Sequence, residues 1–225
     1  MNSSYEIYPL KVSFNNFINY CYIIVDSLSR DAMIIDPAWQ IEKIKDKLIE
    51  VNANLTSILL THSHYDHINL VNPLLSEFKV EVFMSSKEIN YYGFRCNNLT
   101  SLYDMNVINF GTSSIKCLLT QGHTFGGMCY LLPDSIFTGD TIFIEGCGIC
   151  SENGSSPKAL FHSIQRIKRE LPINVHVYPG HSYGKQPGYC LKYLLEKNIY
   201  FQIEKEDMFV KFRMRKYQKS LFNFK

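Results

Sequence analysis

The chain has 225 residues and a mass of 26.1 kDa, and its 46% hydrophobic content, with fifteen Tyr and fifteen Phe, can fill a large core. A formal net charge of +2 with no long run of one sign before the C-terminus argues against a nucleic-acid partner, and no apolar run reaches the ~18–20 residues of a membrane span. Met1-Asn2-Ser3-Ser4 lacks the basic and apolar regions of a secretory leader, and seven cysteines are an odd set, so the expectation is one cytoplasmic domain over 1–225 with reduced thiols and no membrane association.

In chain order, the sequence alternates from Ile7 and then runs apolar at Cys21–Val25 and Ala32–Ile35, a hairpin-like pair of strands closed by Asp36-Pro37. Asp36 reads equally as a turn former and as a carboxylate that orients a metal-binding histidine. Ile41, Ile44, Leu48 and Ile49 recur at helical spacing through Val51, and Leu55–Leu60 is a short buried strand. Helix is expected over Asn69–Phe78, a strand over Val80–Met84, and a further helix capped by Ser85 or Ser86 and running through Tyr92. Strands follow at Ile115–Thr120, Met128–Leu132 and Ser135–Thr138. Ser156-Pro157 then opens a helix to Glu170, with Ser at the cap and Pro at the first helical position. Val175–Tyr178 is a strand, and Gly188–Asn198 reads as helix. Strands and helices alternate in both halves, which predicts sheets covered by helices on their outer faces.

The chemistry concentrates at His62-Ser63-His64-Tyr65-Asp66-His67, where three imidazoles and a carboxylate follow the Leu55–Leu60 strand within six residues. Neutral nitrogen and carboxylate oxygen donors suit zinc, and iron or manganese also accept them. A catalytic ion usually takes three protein ligands and keeps a position for water, so four crowded donors favour two adjacent ions. Three further residues sit at strand-to-loop junctions beside glycine, in Gly122-His123-Thr124, Gly139-Asp140-Thr141 and Gly180-His181-Ser182. Glycine there lets the backbone turn tightly, and strand ends hold side chains rigidly. Cys147-Gly148-Ile149-Cys150 has C-x-x-C form, but it lies in a Gly-rich loop without the βαβ setting of a redox motif.

The order Asp36, His62-x-His64-x-Asp66-His67, His123, Asp140, His181 resembles the metallo-β-lactamase superfamily over about residues 7–200. The resemblance implies an α/β fold, an αββα sandwich of two mixed β-sheets flanked by helices. It also implies two Zn2+ per chain: His62, His64 and His123 on one ion, Asp66, His67 and His181 on the other, and Asp140 bridging. The Gly122-His123-Thr124 and Gly139-Asp140-Thr141 contexts, Phe143 and Gly146-Cys147-Gly148 are similar to the glyoxalase II branch. Ile149 and Ser151 stand where that branch carries a basic residue and an aromatic for glutathione, whereas Tyr183 is kept. Lys11–Phe17 and Asp36–Trp39 are closely similar to the zinc-dependent hydrolases of bacterial polyketide synthase clusters that use separate acyltransferases. That resemblance implies an acyl thioester substrate on the phosphopantetheine arm of an acyl carrier protein.

On this reading a metal-bridging hydroxide is the nucleophile and Asp66, a ligand, also aims it as the catalytic carboxylate. Residues 205–225 carry seven Lys and Arg against two acids. They read either as a solvated end or as a docking segment, with Arg213, Arg215 or Lys216 meeting the pantetheine phosphate or the acidic face of a carrier protein. Three other readings remain: glyoxalase II itself, a mononuclear iron persulfide dioxygenase, and a non-catalytic carrier-binding protein, against which the full ligand set speaks.

Overall fold

Two mixed six-stranded sheets lie face to face in the computed structural model, which describes residues 4–15 and 17–216. The first sheet runs in chain order: β1 (Tyr5–Phe14), β2 (Phe17–Asp26), β3 (Asp31–Ile35), β4 (Asn54–Leu60), β5 (Glu81–Ser85) and β6 (Leu99–Leu102). Its first three strands are antiparallel and β3 to β6 are parallel. The second sheet contains β7 (Val107–Phe110), β8 (Ser113–Leu119), β9 (Met128–Leu131) and β10 (Ser135–Gly139), continued by β13 (His176–Pro179) and β14 (Tyr189–Cys190). Between them in sequence, β11 (Ile142–Phe143) and β12 (Gly146–Cys147) form a small hairpin. The helices are α1 (Ile41–Glu50), α2 (Tyr65–Ile68), α3 (Val71–Glu77), α4 (Ser86–Tyr92), α5 (Pro157–Glu170), α6 (Leu191–Lys197), α7 (Ile199–Gln202) and α8 (Glu206–Arg213).

The continuous apolar runs follow from strands buried on both faces. In β2, Ile23 and Val25 face outward to the helices around α1, while Tyr22 and Ile24 face the second sheet. Ile58 and Leu60 against Leu59 divide the same way in β4. A middle core containing Met33, Phe83, Tyr130 and Phe137 therefore joins the sheets. Leu160, Ile164 and Ile167 of α5 close the outer face of the second sheet. At the start of α5 the Ser156 hydroxyl accepts from Ala159 N at 3.2 Å, with Pro157 behind it, as expected.

Several elements differ from expectation. Helix begins inside the histidine motif: His67 N donates to His64 O at 2.9 Å and Asn69 N to Tyr65 O at 3.1 Å, so α2 and α3 replace one helix over 69–78. Tyr189 and Cys190 pair with β13, so helix starts only at Leu191, not Gly188. Ser85 holds the N-cap position of α4, but its hydroxyl caps nothing. Residues 206–213 are no solvated tail. They form α8, which buries Phe209 and Arg213 against the second sheet's helices because Phe209 and Phe212 sit on one face. The expectations for Met1–Ser3 and for the basic residues Lys219 and Lys225 concern residues outside those described.

Candidate metal centre

Each segment of the centre leaves the C-terminal end of a strand: Asp36 after β3, the histidine motif after β4, His123 after β8, Asp140 after β10 and His181 after β13. The two sheets close on one another at that edge. Met128 N donates to Thr61 O at 2.9 Å, Tyr20 N to Gly180 O at 2.8 Å and the Tyr130 hydroxyl to Leu60 O at 2.7 Å. Gly180 is required by crowding: a Cβ there would lie 2.6 Å from both Asp140 Oδ1 and the His67 ring.

The seven expected side chains converge as two triads. His62 Nε2 lies 3.1 Å from His64 Nδ1, which lies 3.0 Å from His123 Nε2. In the second triad, Asp66 Oδ2 is 3.7 Å from His67 Nε2 and 3.4 Å from His181 Nε2. Asp140 faces both: its Oδ1 is 3.5 Å from His67 Nε2, and its Oδ2 is 3.6 Å from His123 Nε2 and 3.4 Å from His181 Nε2. Within each triad one ligand atom per residue lies within 4.8 Å of the others.

Hydrogen bonds behind the rings set their direction. His123 Nδ1 donates to Ile149 O at 2.7 Å and His181 Nδ1 to Ile18 O at 2.7 Å, which turns each Nε2 inward. Asp36 accepts from Thr61 N at 2.8 Å, from the Thr61 hydroxyl at 2.6 Å and from His67 Nδ1 at 3.0 Å. Its left-handed backbone, φ 51°, turns the carboxylate back under the motif. The Thr61 oxygen in turn accepts from His62 Nδ1 at 3.0 Å. Asp36 thus turns one Nε2 of each triad toward the centre. Sequence reasoning missed Thr61 and Asn19 as supports. Asn19 Nδ2 donates to Asp66 O at 2.9 Å and to Asp66 Oδ2 at 3.0 Å. A buried amide inside the apolar β2 run was its only signal.

The electrostatics divide the triads. Burial, reinforced by neighbouring imidazoles, holds His62 well below its ordinary pKa, and burial lowers His123 to about 4 against the pull of Asp140. Burial also opposes charge on His67, but Asp66, Asp140 and Asp36 outweigh it and raise the ring to about 10. His181 is raised in the same way by Asp140 and Asp66. Burial would neutralise Asp66; His67, His181 and Asn19 reverse this and hold its carboxyl far below the usual range. Burial thus favours His62 and His123 as neutral nitrogen donors, whereas the carboxylates concentrate around His67 and His181. His67 Nε2 and Asp140 Oδ1 are buried without a hydrogen-bond partner, a cost that a cation between them would remove. Such a donor set fits zinc.

A cleft of about 460 Å3 opens over the centre, and Phe17, Tyr65, Phe143, Ile149 and Tyr183 contribute to its wall. Arg213 and Arg215 line it as well; Lys216 is exposed and does not. Arg213 is held in place by Tyr200 Oη at 2.9 Å and Cys147 O at 3.4 Å. Asn198 Nδ2 donates to the carbonyls of Phe143, Ile144 and Gly146 at 3.0, 3.3 and 2.9 Å, so the C-terminal helices brace the β11–β12 wall. Cys147 and Cys150 are buried, and burial pushes both thiols up to about 12, which suits packing and not redox exchange.

Helices outside two facing sheets, with a histidine–aspartate centre at their shared edge, define a metallo-β-lactamase fold, and the chain belongs to that superfamily. The family model described as "Metallo-beta-lactamase superfamily" matches residues 15–98. Over 225 residues, all of both chains, it is 56% identical to "Probable polyketide biosynthesis zinc-dependent hydrolase PksB" of Bacillus subtilis (strain 168) and 54% identical to "Probable polyketide biosynthesis zinc-dependent hydrolase BaeB" of Bacillus velezensis. It is also 34% identical over 165 residues to a "Hydroxyacylglutathione hydrolase" of Pseudoalteromonas translucida, a match covering 73% of this chain and 61% of that one. Among solved structures, ETHE1 from Myxococcus xanthus superposes with a TM-score of 0.85 at 26% identity, covering 97% of this chain and 95% of the other.

Proposed function

We propose that this chain is a binuclear zinc hydrolase of acyl thioesters, acting on acyl groups carried by an acyl carrier protein in polyketide biosynthesis. The observation that carries it is Asp140 facing two complete ligand triads at the base of an open cleft. Whole-length similarity to proteins named as polyketide biosynthesis zinc-dependent hydrolases supports the pathway, and the hydroxyacylglutathione hydrolases support acyl transfer from sulfur to water.

His62, His64 and His123 would hold one zinc, Asp66, His67 and His181 the other, with Asp140 between them. Zinc bound there lowers the pKa of water toward about 7 and polarises a carbonyl as a Lewis acid. Asp66 stays ionised, and its Oδ2, fixed by Asn19, accepts a hydrogen bond from the attacking water and aims it. The thiolate product is a good leaving group and needs no dedicated acid. Phe17, Tyr65 and Tyr183 flank the acyl group as walls of the cleft.

Ile149 puts an apolar side chain in the cleft where a glutathione carboxylate would need a cation, which favours a neutral pantetheine arm. Arg215, on the cleft wall, and exposed Lys216 meet the arm's phosphate or the carrier's acidic face. Arg213, being buried, holds the wall.

The test offers one acyl group on glutathione, coenzyme A and carrier protein to protein of measured metal content. Two zinc per chain and carrier-bound preference are expected, with hydrolysis abolished in Asp66→Ala and the carrier preference reduced in Arg215→Glu. Preference for the glutathione thioester would make the protein a glyoxalase II, and one iron per chain with oxygen uptake would make it a persulfide dioxygenase.

A further inference from the structure

The three histidines of the first triad come from two separate loops, and a buried carboxylate outside the metal ligands bridges those loops. Glu88, in the first turn of α4, is 0% exposed. Its Oε1 accepts from Ser63 N and from the Ser63 hydroxyl, each at 2.8 Å. Its Oε2 accepts from Gly126 N at 2.9 Å. Ser63 lies between His62 and His64, and Gly126 is three residues past His123. One side chain therefore holds the backbone of both loops that carry the first triad.

Two further contacts from the same helix reach the His123 loop: Lys87 Nζ donates to Gln121 Oε1 at 3.0 Å, and Phe125 N donates to Tyr92 Oη at 3.2 Å. The packing is close enough that a Cβ on Gly126 would lie 2.1 Å from Glu88 N. The second triad is anchored elsewhere, by Asp36, Ile18 O and Asn19.

We infer that Glu88 is a positioning residue for the first metal site: it sets the separation of the His62–His64 loop from the His123 loop, and with it the zinc affinity of that triad alone. A carboxylate suits the task because three donors converge on it, and leaving any of them unpaired in the interior is costly. Glu88→Gln keeps the shape and one acceptor, but turns an NH2 group toward at least one of those donors.

The inference rests on the assignment of the centre to metal and not on the substrate. Stepwise zinc affinities are measured by chelator competition on the full-length holoenzyme, with His123→Ala and His181→Ala marking which step belongs to which triad. Glu88→Gln is expected to weaken the His123-dependent step by about ten- to a hundredfold, the usual effect of losing an outer support, and to leave the His181-dependent step unchanged. Gly126→Ala forces the same separation from the opposite side and should give the same selective loss, whether or not Glu88→Gln folds. Both steps unchanged in Gly126→Ala, or both falling together with the thermal midpoint, overturns the inference. A wild-type chain that binds a single ion refutes the two-ion reading instead, and Glu88 is then judged on whether its substitution weakens that ion.

Discussion

Replacing Asp36 with Asn tests how the centre keeps its rings in order. The carboxylate accepts three hydrogen bonds and donates none: Thr61 N on Oδ1, and the Thr61 hydroxyl and His67 Nδ1 on Oδ2. An amide has one acceptor. If its oxygen keeps Thr61 N, its NH2 faces both the Thr61 hydroxyl and His67 Nδ1. The hydroxyl can rotate to accept, but it then donates toward His62 Nδ1, and the amide donates toward His67 Nδ1. Both rings would be driven to carry their proton on Nε2, the inward atom that each triad needs bare. In the opposite amide orientation, Thr61 N is left against an NH2 in a buried site, at about 1–3 kcal/mol.

The first orientation weakens metal binding at both triads, by about ten- to a hundredfold each, or roughly 1.4–2.8 kcal/mol, whereas the second keeps the ring tautomers and lowers stability alone. Zinc competition with a chelator at neutral pH reads this directly, and the thermal midpoint of metal-free protein reports any purely structural loss. Asp36→Asn protein that holds two zinc ions with wild-type affinity and keeps the wild-type thermal midpoint would show that the carboxylate does not set the tautomers.

Two further substitutions probe packing, Gly180 beside the centre and Asp26 at the opposite end of the strands. Gly180→Ala places a methyl 2.6 Å from Asp140 Oδ1 and the His67 ring, so it should remove bound zinc and hydrolysis together, and zinc content near two per chain would contradict that crowding. Asp26 pins the turn after β2 to the turn before β8, accepting from Leu28 N at 3.0 Å, Ser29 N at 2.8 Å and Thr112 N at 3.0 Å. Those donors, chiefly Ser29 N, lower its carboxyl from 3.8 to about 2. The folded value lies below the unfolded one, so the stabilisation is complete above about pH 4 and is lost as pH falls through about 2. The urea-midpoint gap between wild type and Asp26→Asn should therefore be wide at pH 6 and close near pH 2, zinc loss being common to both proteins; a gap independent of pH would exclude the ionised carboxylate as its cause.

Much of the architecture can be read from residue order because the inner strands are buried on both faces. Cys21–Val25 is apolar at every position and Ile58–Leu60 at all three, and only a strand between two layers needs that. The short edge strands β6 and β7 escape such reading: Leu99–Leu102 and Val107–Phe110 are four residues each and half exposed, so their polar and apolar positions look like loop. The C-terminal segment misleads for another reason. Counting its cations suggests solvent, whereas Phe209 and Phe212, at helical spacing, carry Arg213 into the interior against Tyr200.

At the centre, ligand types and their glycine neighbours are visible in the chain, but the supports are not. Thr61 and Asn19 work through distances across strands that no local pattern encodes. Asp36 shows why two sequence readings need not compete. As a turn former it adopts φ 51° before Pro37, and that left-handed backbone is what brings its carboxylate under Thr61 and His67. An aspartate tolerates this conformation better than most residues and also supplies the acceptor, so turn chemistry and ring orientation are one requirement met by one side chain.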